Sequence, residues 1–360
     1  MSRDVGQFRA FGGRRLSESI FVSVTVCVRD GAQWIDDCMA ALCAQSHRPL
    51  EIIAVDDGST DGSTEILQSW HDPEGKAERS NGIQVFVLTQ SPIGLSAGRN
   101  LALSAAKGEW VAITDIDCRP EATWIEEMVR VCDGQGDELV AAVTGHTVFE
   151  TGSTRTSRTR ADWVAKKYAS RPRRASLANG PCSMINRNLL LEVGGFDDAW
   201  YHAEDMEVSL RLIQRGGVII FTSSALVHHV AEDSLSLFLS KRKRDARAHI
   251  RIRKRFGRGG VTKDDGTFHR HDFTDDALRI ARLLPLMIFG LVVSTWPLHS
   301  EASGSLFWNI GIMLTTLLAI IFLQLRIEML WSMALWIGAI EGQMDALLGR
   351  HGHDKPFGRQ

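Results

Sequence analysis

Two aspartates two residues apart, Asp115 and Asp117 in Ile113-Thr114-Asp115-Ile116-Asp117, close an apolar run and offer hard oxygen ligands. Strand side chains alternate with a period of two, so both carboxylates can share one face, or the chain can turn there and bring both to a cleft. A divalent cation held this way would neutralise a diphosphate leaving group; the plainer alternative is an acidic pair that only solvates a strand-to-loop turn. A second acidic group, Val55-Asp56-Asp57-Gly58-Ser59-Thr60-Asp61, ends another apolar run. Its carboxylates either build an Asx-rich turn with Asp61 capping the next helix, or point from the carboxyl end of a parallel strand into a ligand crevice, accepting hydrogen bonds from a base or ribose.

The runs that must hold these groups are readable from their periodicity. From Ile20, short β-rich segments alternate with helical ones: IFVSVTVCV, a helix bearing Trp34, Ile35, Cys38, Met39 and Leu42, then LEIIAVDDGS. That order predicts β-α-β with a parallel sheet. A helix with Ile66, Leu67 and Trp70, the strand IQVFVL, a Gly-rich turn, a helix from Gly98 to Lys107 and the strand EWVAITDID follow. Continuous apolar runs of this kind belong to strands covered on both faces. Beyond about residue 139 come LVAAVTGHTVF, a basic stretch, ANGPCSMINR, LLLEVGGF, a helix around 204–215 and the strand VIIFTS, read as the second half of one α/β domain.

The chain has 360 residues, with 41 Lys+Arg against 43 Asp+Glu, 44% hydrophobic residues and 9 Pro. This excludes a disordered tail protein, a collagen and a wholly basic nucleic-acid binder. Near-neutrality hides two basic patches: residues 155–174 carry eight Lys/Arg against Asp162, and 241–258 carry ten against Asp245. Such patches point to a phosphate-bearing or membrane-surface partner. The six cysteines, Cys27, Cys38, Cys43, Cys118, Cys132 and Cys182, form no C-x-x-C pair and read as reduced core residues. The first twenty residues lack the apolar stretch of a secretory signal, so the catalytic part is expected in the cytoplasm.

Downstream of a charged, Gly-rich linker the composition changes. Leu283–Leu298 and Ala302–Leu325 contain no charged residue, and the second is long enough to cross about 30 Å of hydrocarbon. Two such runs predict an α-helical membrane hairpin, with buried core helices as the alternative. Met329–Ile340, 12 residues between Glu328 and Glu341, reads as interfacial. Basic residues before the first run and Arg326 after the second, against only Glu301 as a full charge in the link, place the catalytic part and the tail with Arg350, Lys355 and Arg359 on the cytoplasmic side.

Six ordered motifs then carry a resemblance. Val22-Ser23-Val24-Thr25-Val26, Val55 to Asp61, Gly94-Leu95-Ser96-Ala97-Gly98-Arg99-Asn100, Asp115-Ile116-Asp117, Gly194-Gly195-Phe196-Asp197, and His202-Ala203-Glu204-Asp205-Met206-Glu207 with Arg211 resemble a family 2 glycosyltransferase of the GT-A fold over roughly residues 20–250. The resemblance implies a nucleotide-diphosphate-sugar donor and a divalent cation, Mn2+ or Mg2+. It implies that Asp57, with Asp56, contacts the donor nucleobase, that Asp115 contacts its ribose or the metal shell, that Asp117 holds the metal, and that Arg99 lies near the diphosphate or base. Asp205, beside Glu204, matches the family's base, which deprotonates an acceptor hydroxyl for an inverting displacement; a helix N-terminal acidic pair favoured by the macrodipole is the alternative. His229, more than His228, matches a third metal ligand, with a structural histidine as the alternative.

Lys241, Arg242 and Arg244 open the second basic run, either a solvated helix face or a site for anionic lipid or polyprenyl pyrophosphate. Residues 155–174 with the Asn179-Gly180-Pro181 loop would help hold a phosphate-bearing acceptor. The chain departs from the family in two places: Cys27-Val28-Arg29-Asp30 stands where relatives show Pro-Thr-Tyr-Asn, and the processive Q-x-x-R-W motif is missing, which favours one sugar per acceptor.

The resulting expectation is an extension 1–19, a catalytic domain 20–253 with a mostly parallel central sheet, a linker 254–279, a membrane region 280–348 (crossings near 280–299 and 302–325, an interfacial helix near 327–348) and a tail 349–360. The expected partners are a nucleotide sugar, a lipid-linked or cell-envelope saccharide acceptor and membrane lipids, without nucleic acid. A polyprenyl-phosphate sugar synthase, and a catalytically silent scaffold or binding subunit, are the competing readings.

Overall fold

The computed structural model describes residues 19–72, 82–133, 138–200, 202–257, 260–262, 265–270, 279–299 and 305–350. All but Ser19 of the expected N-terminal extension, and Lys355 and Arg359 of the tail, lie outside the described residues.

The catalytic part runs β1 (Val22–Val28), α1 (Ala32–Cys43), β2 (Leu50–Asp56), α2 (Ser63–Trp70), β3 (Gln84–Thr89), α3 (Leu95–Ala105), β4 (Trp110–Asp115), β5 (Cys118–Pro120) and α4 (Trp124–Asp133). It continues through β6 (Val140–Phe149), α5 (Arg155–Ala169), β7 (Arg174–Ala175), β8 (Ser183–Asn186), α6 (Arg187–Glu192), α7 (Glu204–Gln214) and β9 (Val218–His229). Then come α8 (Leu235–Phe256), the short pair β10 (Val261–Thr262) and β11 (Phe268–His269), and three helices, α9 (Leu283–His299), α10 (Ser305–Gln324) and α11 (Arg326–Leu347).

The main sheet has the order β3-β2-β1-β4-β8-β6-β9-β5, with β7 added to β9. Its first four strands are parallel, because helices α1 to α3 return the chain between them. The second half is mixed: β8 runs antiparallel to both β4 and β6, and β5 antiparallel to β9. The strands bury both faces, as the apolar runs require: Val24, Val26, Ile52, Ile53 and Ala112 are wholly or almost wholly enclosed. Strand order reverses between β1 and β4, the switch point where α/β sheets open a crevice at their carboxyl ends. Register puts Cys27 beside Asp115 and Val28 beside Asp56, so both acidic turns open on that crevice.

In the C-terminal part, α8 runs across residue 253 to Phe256, and the β10–β11 hairpin follows it. No single helix among the described residues is long and apolar enough to cross a membrane; residues Asn309–Gln324 and α11 pass such a test only together, bent by 84°. The 17 described residues of α9 reach about 26 Å at the helical rise. Helix α11 is 22 residues long, and one of its faces packs on α8: Phe238, Ile327, Trp331 and Leu335 form a buried cluster with Trp163 of α5. The Trp331 ring meets Phe238 and Trp163 edge to face at 5.1 and 4.9 Å. The outward sides of α9, α10 and α11 expose Phe289, Met313, Leu323, Trp336 and Ile340.

Candidate active site

Antiparallel pairing sets Cys118 of β5 opposite His229 of β9, and the Val230 N–H donates to the Asp117 carbonyl at 3.0 Å. This register brings His229 Nε2 to 3.3 Å from Asp117 Oδ2. The other ring nitrogen, Nδ1, lies 2.8 Å from the Val230 carbonyl, which can only accept, so Nδ1 carries a hydrogen and Nε2 is the nitrogen turned to Asp117. Two acceptors at 3.3 Å repel unless a proton or a cation lies between them. Adjacent ligands of an octahedral ion bound at about 2.1 Å lie about 3 Å apart, so the pair fits a small divalent cation. Phe149 stacks on the His229 ring at 4.2 Å and fixes its plane.

Among the described residues, the clustered donors here are Asp117, Cys118 and His229, within 4.8 Å of one another. Burial, with Asp117 and Asp115 nearby, pushes the Cys118 thiol up, so it stays protonated and leaves a hard cation to the oxygen and imidazole donors. Asp115, expected at the ribose or the metal shell, stands outside this cluster, and its Oδ1 faces Arg99 Nη2 at 3.2 Å. Burial raises the Asp115 carboxyl and Asp117 adds to the rise, against the pull of Arg99.

Arg99 joins the two sides of the crevice. Its guanidinium is almost fully enclosed, and Nη1 binds Glu204 Oε1 at 2.5 Å while Nη2 reaches Asp115. Burial works against its charge, but Glu204 and Asp115 outweigh it and hold it protonated. Arg99 is therefore a buried strut beneath the site. Gly180 lies against it: a Cβ there would come within 2.8 Å of Arg99 Nη2.

Asp205 sits at the N-terminus of α7, with its Oδ2 accepting from the Gly180 N–H at 3.0 Å and Oδ1 from the Met206 N–H at 2.7 Å. These bonds fix the carboxylate's direction and leave each oxygen a lone pair. Ala203, just before the acidic pair, has φ +62°, a left-handed conformation that costs an L-residue about 1–3 kcal/mol. The turn is held by its surroundings: Ser96 Oγ donates to the Trp200 carbonyl at 3.0 Å, Asn100 Nδ2 to the Phe196 carbonyl at 2.7 Å, and His202 Nε2 meets Asp245 Oδ1 at 2.5 Å.

Several expected ligand contacts are spent inside the protein. Asp56 accepts from the Ser59 N–H at 3.1 Å and Thr64 Oγ1 at 2.6 Å, so it builds the turn instead of facing the base. Asp57 Oδ1 accepts from Gln90 Nε2, the Ile93 N–H and the Gly94 N–H, tying down the loop before α3. Its Oδ2, 3.6 Å from Arg29, retains acceptor capacity. Asn179 is buried, accepting from the Cys182 N–H at 2.9 Å and donating to Tyr168 Oη at 2.5 Å, and it shapes the loop that presents Gly180.

The opening of the basic run is also enclosed. Lys241 donates to Glu232 Oε1 at 2.7 Å, and Arg242 Nε lies 3.0 Å from Asp245 Oδ2. Arg244 points off another side of α8, and its Nε is buried without a hydrogen-bond partner. Arg160 of α5, unremarked within its basic stretch, joins this cluster 3.4 Å from Glu232 and lies over the Phe149 ring at 4.6 Å. Burial and Arg242 lower it to about 10. The composition of residues 155–174 marked the segment; nothing in the sequence tied Arg160 or Phe149 to His229.

A family model described as glycosyl transferase family group 2 matches residues 110–341, and one described as glycosyl transferase family 2 matches residues 23–194. Among curated proteins, the chain is 33% identical over 121 residues to a cholesterol galactosyltransferase of Borreliella burgdorferi, covering 34% of this chain and 32% of that protein. It is 25% identical over 236 residues to glycosyltransferase AglE of Haloferax volcanii, covering 64% and 74%. The match to the first thus spans about a third of that relative's length. Among solved structures, mannosyltransferase PcManGT from Pyrobaculum calidifontis, determined with GDP-Man and Mn2+, superposes with a TM-score of 0.64 at 19% identity, over 91% of this chain and 88% of that one. The likeness shows the fold, which is the GT-A kind of α/β arrangement.

Proposed function

The chain belongs to the family 2 glycosyltransferases, and from that premise we propose that it moves a single sugar, with inversion, from a nucleotide-diphosphate donor to a lipid-linked or cell-envelope saccharide. The observation that carries this is the pairing of Asp117 with His229 on one wall and Asp205 on the other, joined through Arg99. A divalent cation held by Asp117 and His229 would supply neutralisation of the departing diphosphate. Asp57 and the crevice edge of Asp115 orient the nucleoside. Asp205 takes the proton of the acceptor hydroxyl as its oxygen attacks the anomeric carbon from the face opposite the leaving group. The bond from that carbon to the diphosphate oxygen breaks, and the nucleoside diphosphate leaves with the electron pair. Positioned base catalysis of this kind contributes about 10²–10⁴-fold.

The acceptor reading draws on the apolar outer faces of α9, α10 and α11. A lipid bilayer is the occupant that matches several exposed apolar helices in one region, with the α9–α10 hairpin inserted and the catalytic domain on the cytoplasmic side. A thiol placed at Gly358 in a cysteine-replaced background would then resist an impermeant reagent in intact cells and react after lysis; labelling of intact cells would refute that orientation.

The deciding experiment is a thermal-stability panel of nucleotide sugars with Mn2+ or Mg2+, followed by product analysis with the stabilising donor. A cation-dependent shift and a product of inverted anomeric configuration are expected; a retained configuration would overturn the single displacement. A monophospho-sugar product would move the assignment to polyprenyl-phosphate sugar synthesis.

A further inference from the structure

We propose that α8 is a lever through which the docked helix α11 sets the turn that presents Asp205, so that residues far from the crevice, Arg247, Asp345 and Gly338, are positioning residues for the base. The proposal rests on Asp205 being that base.

Along its length α8 touches three different parts of the molecule. Arg242 is buried against the catalytic domain beside Glu232 and Arg160, and Phe238 is buried against Trp331 of α11. The helix also meets α11 by ion pairs: Lys243 Nζ donates to Glu341 Oε1 at 3.1 Å, and Arg247 Nη2 to the buried Asp345 Oδ1 at 2.8 Å. The contact is close because two glycines stand in it. A Cβ at Gly338 would overlap the Lys243 carbonyl oxygen, and one at Gly342 would come within 2.9 Å of the Arg247 carbonyl oxygen. Asp245 and the last turns of α8 hold the turn ahead of the base. Asp245 takes His202, Arg251 donates to the Ala199 carbonyl at 2.8 Å, and Arg255 binds Asp197 at 2.7 Å and reaches Glu207 of α7 at 3.2 Å. Arg251 also lies over the Trp200 ring at 4.4 Å.

An α-helix turns about 100° per residue, so Lys243, Arg247, Arg251 and Arg255, four residues apart in turn, form one slowly drifting stripe with Asp245 on the side opposite Lys243 and Arg247, and all belong to one rigid rod. The rod cannot shift on α11 without shifting at His202. The turn it holds has a reason to move. Ala203 is in a strained left-handed conformation, and such a residue persists only where its surroundings over-determine it. The grip of α3 at Trp200 and Phe196 fixes one edge of the turn to the donor wall; α8 supplies the other edge. Asp245 is suited to this task. Burial would push its carboxyl up, but Arg242 and His202 together hold it well below the usual range, so it stays an anion at the joint.

The test uses the full chain in detergent. Turnover is read as nucleoside diphosphate released from whichever of UDP-glucose, UDP-galactose, UDP-N-acetylglucosamine or GDP-mannose the wild-type chain consumes, and donor-site affinity as Kd for UDP or GDP with Mn2+. Asp345→Arg should lower kcat at least tenfold with Kd changed less than twofold, and adding Arg247→Asp should recover at least half of the loss. Gly338→Leu should give the same split. Should it fail to fold, Asp345→Asn supplies a milder break with a smaller loss of kcat. In a His202→Ala background, Asp345→Arg should cost less than threefold more, because the lever is already uncoupled. Unchanged kcat in Asp345→Arg, a parallel loss of Kd, no recovery in the swapped pair, or additive losses with His202→Ala would each overturn the proposal. Asp205→Asn is assayed beside them: if it keeps full turnover, the base assignment itself fails, whatever the α11 variants do.

Discussion

The two walls of the crevice are built by different means. The metal-side wall is made by strand register: β1, β2 and β4 end together, and β5 pairs with β9 so that Asp117 meets His229. The base-side wall is made by side chains reaching between helices and loops: Gly180 to Asp205, Asn100 to Phe196, Asp245 to His202. Backbone ladders repeat along whole strands, so losing one side chain leaves the wall standing. A wall hung on individual side chains can shift when one is lost. Chemistry at the first wall should therefore fail by losing a ligand, and at the second by losing alignment.

The strongest break is Asp117→Ala. It should reduce turnover at least about 10³-fold, as the diphosphate's charge loses several kcal/mol of stabilisation, and should remove the cation-dependent part of the thermal shift given by a nucleoside diphosphate. Persistent cation-dependent stabilisation would show that the metal-side wall is elsewhere. Asp205→Asn should lower kcat by about 10²–10⁴-fold while donor affinity stays within a few-fold, which isothermal titration beside steady-state kinetics would resolve. If both fell together, the two walls would not be separable.

Arg99→Met probes the strut between them. Removing the cation leaves Glu204 buried without its partner, a change that costs about 3–5 kcal/mol in comparable buried pairs. Denaturant unfolding should show that loss, and both donor affinity and turnover should suffer. Selective damage to one wall would mean that Arg99 does not bridge them.

A smaller effect concerns the cluster beside His229. Burial favours neutral Glu232, yet Arg160 and Lys241 outweigh it and hold its pKa at about 2. A depressed carboxyl stabilises the fold fully above its ordinary value and loses that contribution as pH falls through the folded one. Glu232→Gln should therefore be less stable than wild type near neutrality, by on the order of 2 kcal/mol, with the gap closing as pH falls from about 4.5 to 2. A gap that stays constant in a pH series of unfolding curves would contradict the pairing.

The contrast between the walls also explains what the sequence made legible. The alternation of strands and helices and the acidic pair Asp115 and Asp117 are local patterns; β4 ends at Asp115 and the chain turns there, with Asp117 in the turn before β5. The partners of those acids are not local. Nothing near Asp56 announces that Thr64 and the Ser59 N–H will take both its oxygens, and nothing near Asn179 announces Tyr168. His202 and Asp245 lie 43 residues apart and meet only because α8 packs across the turn. Helix α11 misleads for a physical reason: it is apolar both toward α8 and outward, so it shows no single amphipathic stripe. Glu341 looks like a charge bounding a short apolar run, but it and Asp345 are the acids that dock the helix to Lys243 and Arg247.

The central claim, that the cation lies between Asp117 and His229 with Asp115 turned to Arg99, is tested most directly by titrating Mn2+ into the full chain with UDP or GDP present and following free Mn2+ by electron paramagnetic resonance. His229→Ala should weaken binding at least about tenfold, whereas Asp115→Asn should stay within about threefold of wild type. Tight binding in His229→Ala together with loss in Asp115→Asn would contradict the account.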